Sequence, residues 1–157
     1  NEWKETLLRA TKAGILEMTM TPGTAFASTK NIYPFVGEMI KYYLKETPIL
    51  KSIPTWLAVD GNGNKAQGII DRVTANFGDY VLKYMPNSLG GKGVYVGPKV
   101  SAAEQKEALE LLNKEPENFI IQHYMHPSVI DDQILDFRPY GYVGPDGNPI
   151  VSDFYWS

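Results

Sequence analysis

The chain has 157 residues, 43% of them hydrophobic and 21% charged, with a net charge of −3 and no cysteine. That composition supports an ordinary folded core and speaks against disorder. The absence of a lysine or arginine block gives no reason to expect nucleic acid or an anionic membrane as partner, and the absence of cysteine excludes disulfides, thiolate zinc sites and a cysteine nucleophile.

Residues 2–13 read as a short helix, with Trp3, Leu7, Leu8 and Thr11 on one face and Gly14 placed to stop it. A strand is expected from Ile15 to Met20, closed by the turn Thr21-Pro22-Gly23. A second helix is expected from about Asn31 to Lys45, because Val36, Met39, Ile40, Tyr43 and Leu44 recur at helical spacing and Pro34 falls in its first turn. Pro48 and Pro54 then break the chain into an extended linker. Residues 55–60 read as a strand, followed by the tight turn Asp60-Gly61-Asn62-Gly63-Asn64. A helix over about Lys65 to Asn76 would bury Ile69, Ile70 and Val73. Strands at 79–85 and 93–97 flank a glycine-rich loop. Ser101 and Glu104 form a capping box that opens a helix over 102–114, with Ala108, Leu109 and Leu112 as its buried stripe. Phe119 to Met125 read as a strand, and residues 134–143 and 149–156 as a hairpin turning at Gly144-Pro145-Asp146-Gly147-Asn148. Hairpins mixed with packed helices predict an α+β fold rather than a doubly wound sheet.

The stretch that carries chemistry is Tyr80-Val81-Leu82-Lys83, followed by Asn87 to Gly97 with its Gly90-Gly91-Lys92-Gly93. A strand delivers a lysine, and a glycine-rich turn follows. Glycines let backbone N–H groups approach phosphate oxygens, and a strand-anchored lysine supplies a fixed charge beneath them. The same residues also fit a plain hairpin turn with Lys83 on a solvated face. A P-loop is excluded because Pro86 stands where its first glycine should be and Gly93 follows Lys92. A Rossmann fingerprint is excluded because these glycines open a strand and not a helix.

Taken together, the motifs resemble the ATP-grasp superfamily, and within it the circularly permuted branch. Thr21 to Lys30 resembles the loop that ends in the family's first nucleotide lysine, although Ser28 and Thr29 stand where acidic residues often precede it. Ile49 to Trp56 resembles the entry to the small nucleotide-covering lobe. Tyr80 to Gly97 resembles that lobe's lysine strand and glycine-rich lid. Phe119 to Tyr124 resembles the adenine hinge, and Asp136-Phe137-Arg138 the D-x-R strand beyond it. The resemblance covers about residues 15–157. It implies three segments: 1–54 with the first nucleotide lysine, 55–118 as the small lobe with the lid, and 119–157 as the hinge and the start of a truncated C-terminal lobe.

The resemblance also implies roles. Lys30 and Lys83 would bracket the α- and β-phosphates of ATP. Gly90, Gly91 and Gly93 would give the lid its backbone donors. Backbone groups of Gln122, His123, Tyr124 and Met125 would read the adenine edge. Arg138 would face the triphosphate or an acyl phosphate as the catalytic residue. Each has a structural alternative: Lys30 as a surface lysine, Phe119 to Met125 as a core strand, Asp136 and Arg138 as an inter-strand ion pair. His123 and His126 have the i, i+3 spacing of metal ligands, but a strand does not place odd separations on one face, so no metal ligand is assigned.

The reaction the resemblance implies for the parent protein is ATP-dependent joining of a carboxylate to an amine or thiol through an acyl phosphate. Mg²⁺ would serve in the full-length parent, whose acidic residue and Glu/Asn pair are not found in these residues. The expectation is therefore a fragment of a larger ligase that is inactive by itself, with the remainder of its own chain as partner. The alternative is a degenerate ATP-grasp-like interaction or regulatory domain, and a phosphotransferase with the same lid is a third reading. Cytoplasmic residence is expected, since no apolar run would span a bilayer and no signal-peptide pattern is present.

Overall fold

The computed structural model describes residues 2–18, 29–86, 92–135, 137–138, 141–144, 146–151 and 155–156. Helices and antiparallel sheets combine in an α+β arrangement, and the chain divides into two compact units, Asn1–His123 and Tyr124–Ser157.

In the first unit, helix α1 (Glu2–Lys12) ends as its sequence predicts: Gly14 takes φ +68° and its amide donates to the Thr11 carbonyl. The strand expected next does not form over residues 15–18, where Ile15 lies exposed; residues 19–28, including the loop before Lys30, are outside the described residues. A strand needs a neighbour to satisfy its backbone groups, and apolar alternation alone does not supply one.

The second helix is not one continuous α-helix. It runs as a 3₁₀ turn (Lys30–Phe35), a single α turn (α2, Val36–Met39) and a π turn (Ile40–Leu44), and Lys45 closes it at φ +59°. Pro34 within the first turn has no N–H to give to an i−4 carbonyl, which favours the tighter start. The 3₁₀ turn is the part that packs against the first strand. Of the residues that recur at helical spacing, Met39, Tyr43 and Leu44 are exposed, so the spacing here does not mark core.

The four-stranded sheet has the order β1-β4-β2-β3 and is antiparallel throughout: β1 is Thr55–Leu57, β2 Tyr80–Tyr84, β3 Val94–Val96 and β4 Phe119–His123. The Asp60–Asn64 turn follows β1, with the Asp60 carboxylate accepting from the Asn62 and Asn64 amides at 2.8 and 2.9 Å. Those bonds hold its pKa below the ordinary value. Helix α3 (Gln67–Ala75) buries Ile69, Ile70 and Val73. Helix α4 (Ala102–Lys114) begins at the predicted capping box and buries Ala108 and Leu112, with Leu109 half-buried.

Alternation along the strands sorts the two faces. Tyr80, Leu82, Phe119 and Ile121 point into one core with the buried residues of α3 and α4. Lys83, Ile120 and Gln122 occupy the intervening positions and so face the other way. Gly97, just after β3, permits a close backbone approach. A Cβ there would strike the Phe77 carbonyl oxygen and lie 2.7 Å from that of Tyr80.

The second unit is a set of short antiparallel pairs. Sequence reasoning missed the hairpin of β5 (Val129–Ile130) and β6 (Gln133–Ile134), which turns through Asp131 and Asp132 at φ +50° and +61°. Two central residues in that region build the mirror-image turn that suits strand twist, and aspartate tolerates it better than most residues. The hairpin expected over 134–143 and 149–156 is present in two pieces: β7 (Phe137–Arg138) with β10 (Tyr155–Trp156), and β8 (Gly141–Val143) with β9 (Pro149–Val151). Tyr142, on β8, is exposed.

Candidate functional site

Lys83 stands on β2, directly opposite Val94 of β3 and Ile120 of β4. It faces away from the main core, toward the 3₁₀ turn that begins at Lys30. Between them lies a cavity of about 450 Å³ lined by Thr29, Lys30, Ile32, Tyr33, Val36, Thr55, Lys83, Ile120 and Gln122. Two lysines distant in sequence thus meet at one concavity. Its described lining contains no carboxylate.

The electrostatics follow from that composition. Burial, and secondarily the charge of Lys30, holds the Lys83 ammonium below the ordinary lysine range of 10.5. Two like charges in a partly desolvated space disfavour each other, and an anion entering the cavity would offset their repulsion and favour the charged form of both. The Lys83 ammonium donates to Gln122 Oε1 at 2.7 Å, and Gln122 Nε2 donates to Thr55 Oγ1 at 3.1 Å. Chemically the site can hold a compact anion with charge-assisted hydrogen bonds.

The other sequence-predicted residues fall as follows. Gly93 has φ +73°, and a Cβ there would lie 3.0 Å from the Tyr84 carbonyl oxygen, so a side chain would be strained at that position. Gly90 and Gly91 are outside the described residues. Gln122 contributes its side chain to the cavity. The His123 amide donates to the Pro54 carbonyl at 2.9 Å and is therefore already used within the first unit. Tyr124 and Met125 belong to the second unit, where Tyr124 makes an edge contact with the His126 ring and Met125 is exposed. Arg138 is in β7 opposite Tyr155, and Asp136 is outside the described residues. No group of three or more His, Cys, Asp or Glu among the described residues could hold a metal ion.

Sequence reasoning missed Thr55 and Tyr33. Thr55 enters only because β1 pairs with β4, which sets it directly opposite Gln122. Tyr33 enters because it follows Lys30 by three positions in the same 3₁₀ turn, where i and i+3 eclipse. That spacing was visible in the chain, but it gains meaning only once the turn is known to be 3₁₀.

A model of the circularly permuted ATP-grasp type 2 family matches residues 4–147. The chain belongs to that family. Among similar proteins, an uncharacterized protein of Synechocystis is 34% identical over 85% of this chain and 28% of its own length. A Frankia alni protein named "Putative glutamate--cysteine ligase 2-3" is 30% identical over 92% of this chain and 17% of its own length. An uncharacterized protein of Mycobacterium leprae is 30% identical over 92% of this chain and 26% of its own length. The chain thus spans less than a third of the length of each of these relatives. Among the described residues, no helix is long and apolar enough to cross a membrane.

Proposed function

We propose that this chain holds the phosphates of ATP within an ATP-grasp ligase that joins a carboxylate to an amine or thiol through an acyl phosphate. One observation carries the reading: Lys30 and Lys83, far apart in sequence, line the same cavity, and no carboxylate is among its described lining residues. A polyphosphate is the anion that two fixed ammonium groups in such a space would best accommodate. Family membership supports ATP as the source of that polyphosphate, and the ligase name of the Frankia relative supports the reaction class.

On this reading Lys83, held on a central strand, supplies the rigid charge, and Lys30 supplies the second from the facing turn. Gly93 and the glycines before it act as the covering loop, Gln122 to Met125 border the base, and Arg138 serves the reacting phosphoryl group. The division into segments 1–54, 55–118 and 119–157 belongs to the same proposal. Mg²⁺ fits no ligand set among the described residues, so what these residues provide is binding and charge neutralisation.

Titration calorimetry tests the reading. Saturable binding of ATP, competed by ADP and by inorganic tripolyphosphate, is the expected result. Failure of both ATP and tripolyphosphate to bind would remove it.

A further inference from the structure

The Lys83 ammonium is one end of a hydrogen-bonded chain that crosses the sheet. It donates to Gln122 Oε1 at 2.7 Å; Gln122 Nε2 donates to Thr55 Oγ1 at 3.1 Å; Thr55 Oγ1 donates to the Ile53 carbonyl at 2.8 Å. The Ile53 amide donates to the Tyr33 hydroxyl at 3.2 Å, and Tyr33 shares its turn with Lys30. Ile53 therefore links the turn that carries Lys30 to Thr55 and, through Gln122, to Lys83.

The direction of this chain is determined at both ends. An ammonium has only donors, so it must meet the oxygen of the Gln122 amide. The Thr55 hydroxyl hydrogen is committed to a backbone carbonyl, so its oxygen is left to accept from Nε2. With the amide turned over, donors would face the ammonium and the amide oxygen would face a hydroxyl whose hydrogen is engaged elsewhere. Sheet register supplies the reach: Gln122 is opposite both Thr55 and Val81, two residues along β2 from Lys83 on the same face.

We infer that Gln122, oriented by Thr55, is a positioning residue of this cavity, holding the Lys83 ammonium in place beside Lys30 without neutralising it. The inference rests on the phosphate-binding reading of Lys83. A glutamate at position 122 would hold the ammonium at least as firmly but would cancel its charge and add a carboxylate to a cavity meant for an anion. The amide takes one hydrogen bond and leaves the whole charge, with the remaining N–H directions, for the phosphate.

The test compares wild type, Gln122→Glu, Thr55→Val and Thr55→Ser by two readouts. One is affinity for ATP and for tripolyphosphate. The other is the titration midpoint of the Lys83 amine in the ligand-free chain, followed by NMR of isotopically labelled lysine; Lys30 and Tyr33 are the other titratable groups lining the cavity and are followed beside it. Gln122→Glu should raise the Lys83 midpoint and weaken ATP binding by about tenfold or more, the scale of one charge-assisted interaction. Thr55→Val should release the amide, lower the midpoint and weaken both ligands, and Thr55→Ser should restore wild-type behaviour. The valine and serine variants keep the test decisive if the glutamate variant does not fold. A wild type that binds neither ligand overturns the phosphate reading alone. A Lys83 midpoint that neither Gln122→Glu nor Thr55→Val moves overturns the positioning role, as does unchanged ATP affinity in Gln122→Glu.

Discussion

Lys83→Met separates binding from folding. The substitution removes the ammonium and keeps most of the side-chain length. Among the described residues that ammonium donates to Gln122 Oε1 at 2.7 Å, and its remaining donors are those the reading assigns to phosphate. A hydrogen bond to a charged group contributes about 1.5–3 kcal/mol, so ATP affinity should fall roughly 10- to 150-fold by calorimetry. Folding should respond in the opposite sense. Burial lowers the folded pKa of Lys83 below its ordinary 10.5, so the native state disfavours the proton that the unfolded chain still holds. The unfolded state therefore binds more protons between the lowered folded value and 10.5, and wild-type stability gains as pH rises through that window. Below the window the cost is fully present. Lys83→Met has no such group, so at neutral pH it should be as stable as wild type or more so, and wild type should gain on it toward alkaline pH in urea titrations. Equal ATP affinities would refute the binding argument. A wild type that lost stability relative to the variant with rising pH would refute the electrostatic one.

Three further predictions concern the frame that holds the site. Leu82→Ala, one residue from Lys83 but pointing into the fully packed face, should cost about 2–5 kcal/mol in urea unfolding through lost burial and the cavity left behind. Gly97→Ala should destabilise by about 1–3 kcal/mol in the same assay, because its Cβ would meet the carbonyl oxygens of Phe77 and Tyr80, and backbone does not yield as a side-chain tip does. The Glu104 pKa is held down by the Ser101 amide and hydroxyl, so its stabilising contribution is complete above the ordinary 4.5 and is lost as pH falls through the lowered folded value. Glu104→Gln should remove that part of the acid dependence, measured as thermal midpoint against pH.

The main core was legible wherever one local rule decides the outcome. Ile69, Ile70 and Val73 on α3, Ala108 and Leu112 on α4, and Phe119 and Ile121 on β4 are buried where helical or alternating periodicity put them. The capping box at Ser101 formed where its two residues predict, because both partners lie within one turn. Periodicity misled where burial depends on a distant partner. The spacing of Met39, Tyr43 and Leu44 is as helical as that of α3, yet these side chains lie exposed, and it is the earlier 3₁₀ turn that packs against β1. Residues 15–18 are apolar at three of four positions yet form no strand, and the Asp131-Asp132 turn lacked the glycine that usually announces such a hairpin.

The same division runs through the site. Lys83 stood out because a lysine on a strand before a glycine-rich loop has local meaning, and the family resemblance offered Lys30 and Gln122 as candidates beside it. Their meeting was not legible in the sequence. It depends on β4 lying between β1 and β2, which puts Gln122 opposite Thr55 on one side and within reach of Lys83 on the other. Strand order and register are properties of the assembled sheet: a shift of one residue would have turned Gln122 into the core and Ile121 out of it. The sequence by itself determined which residues could carry charge and which could be buried; the tertiary structure alone decided that two lysines 53 positions apart share a cavity, and which neutral group holds one of them there.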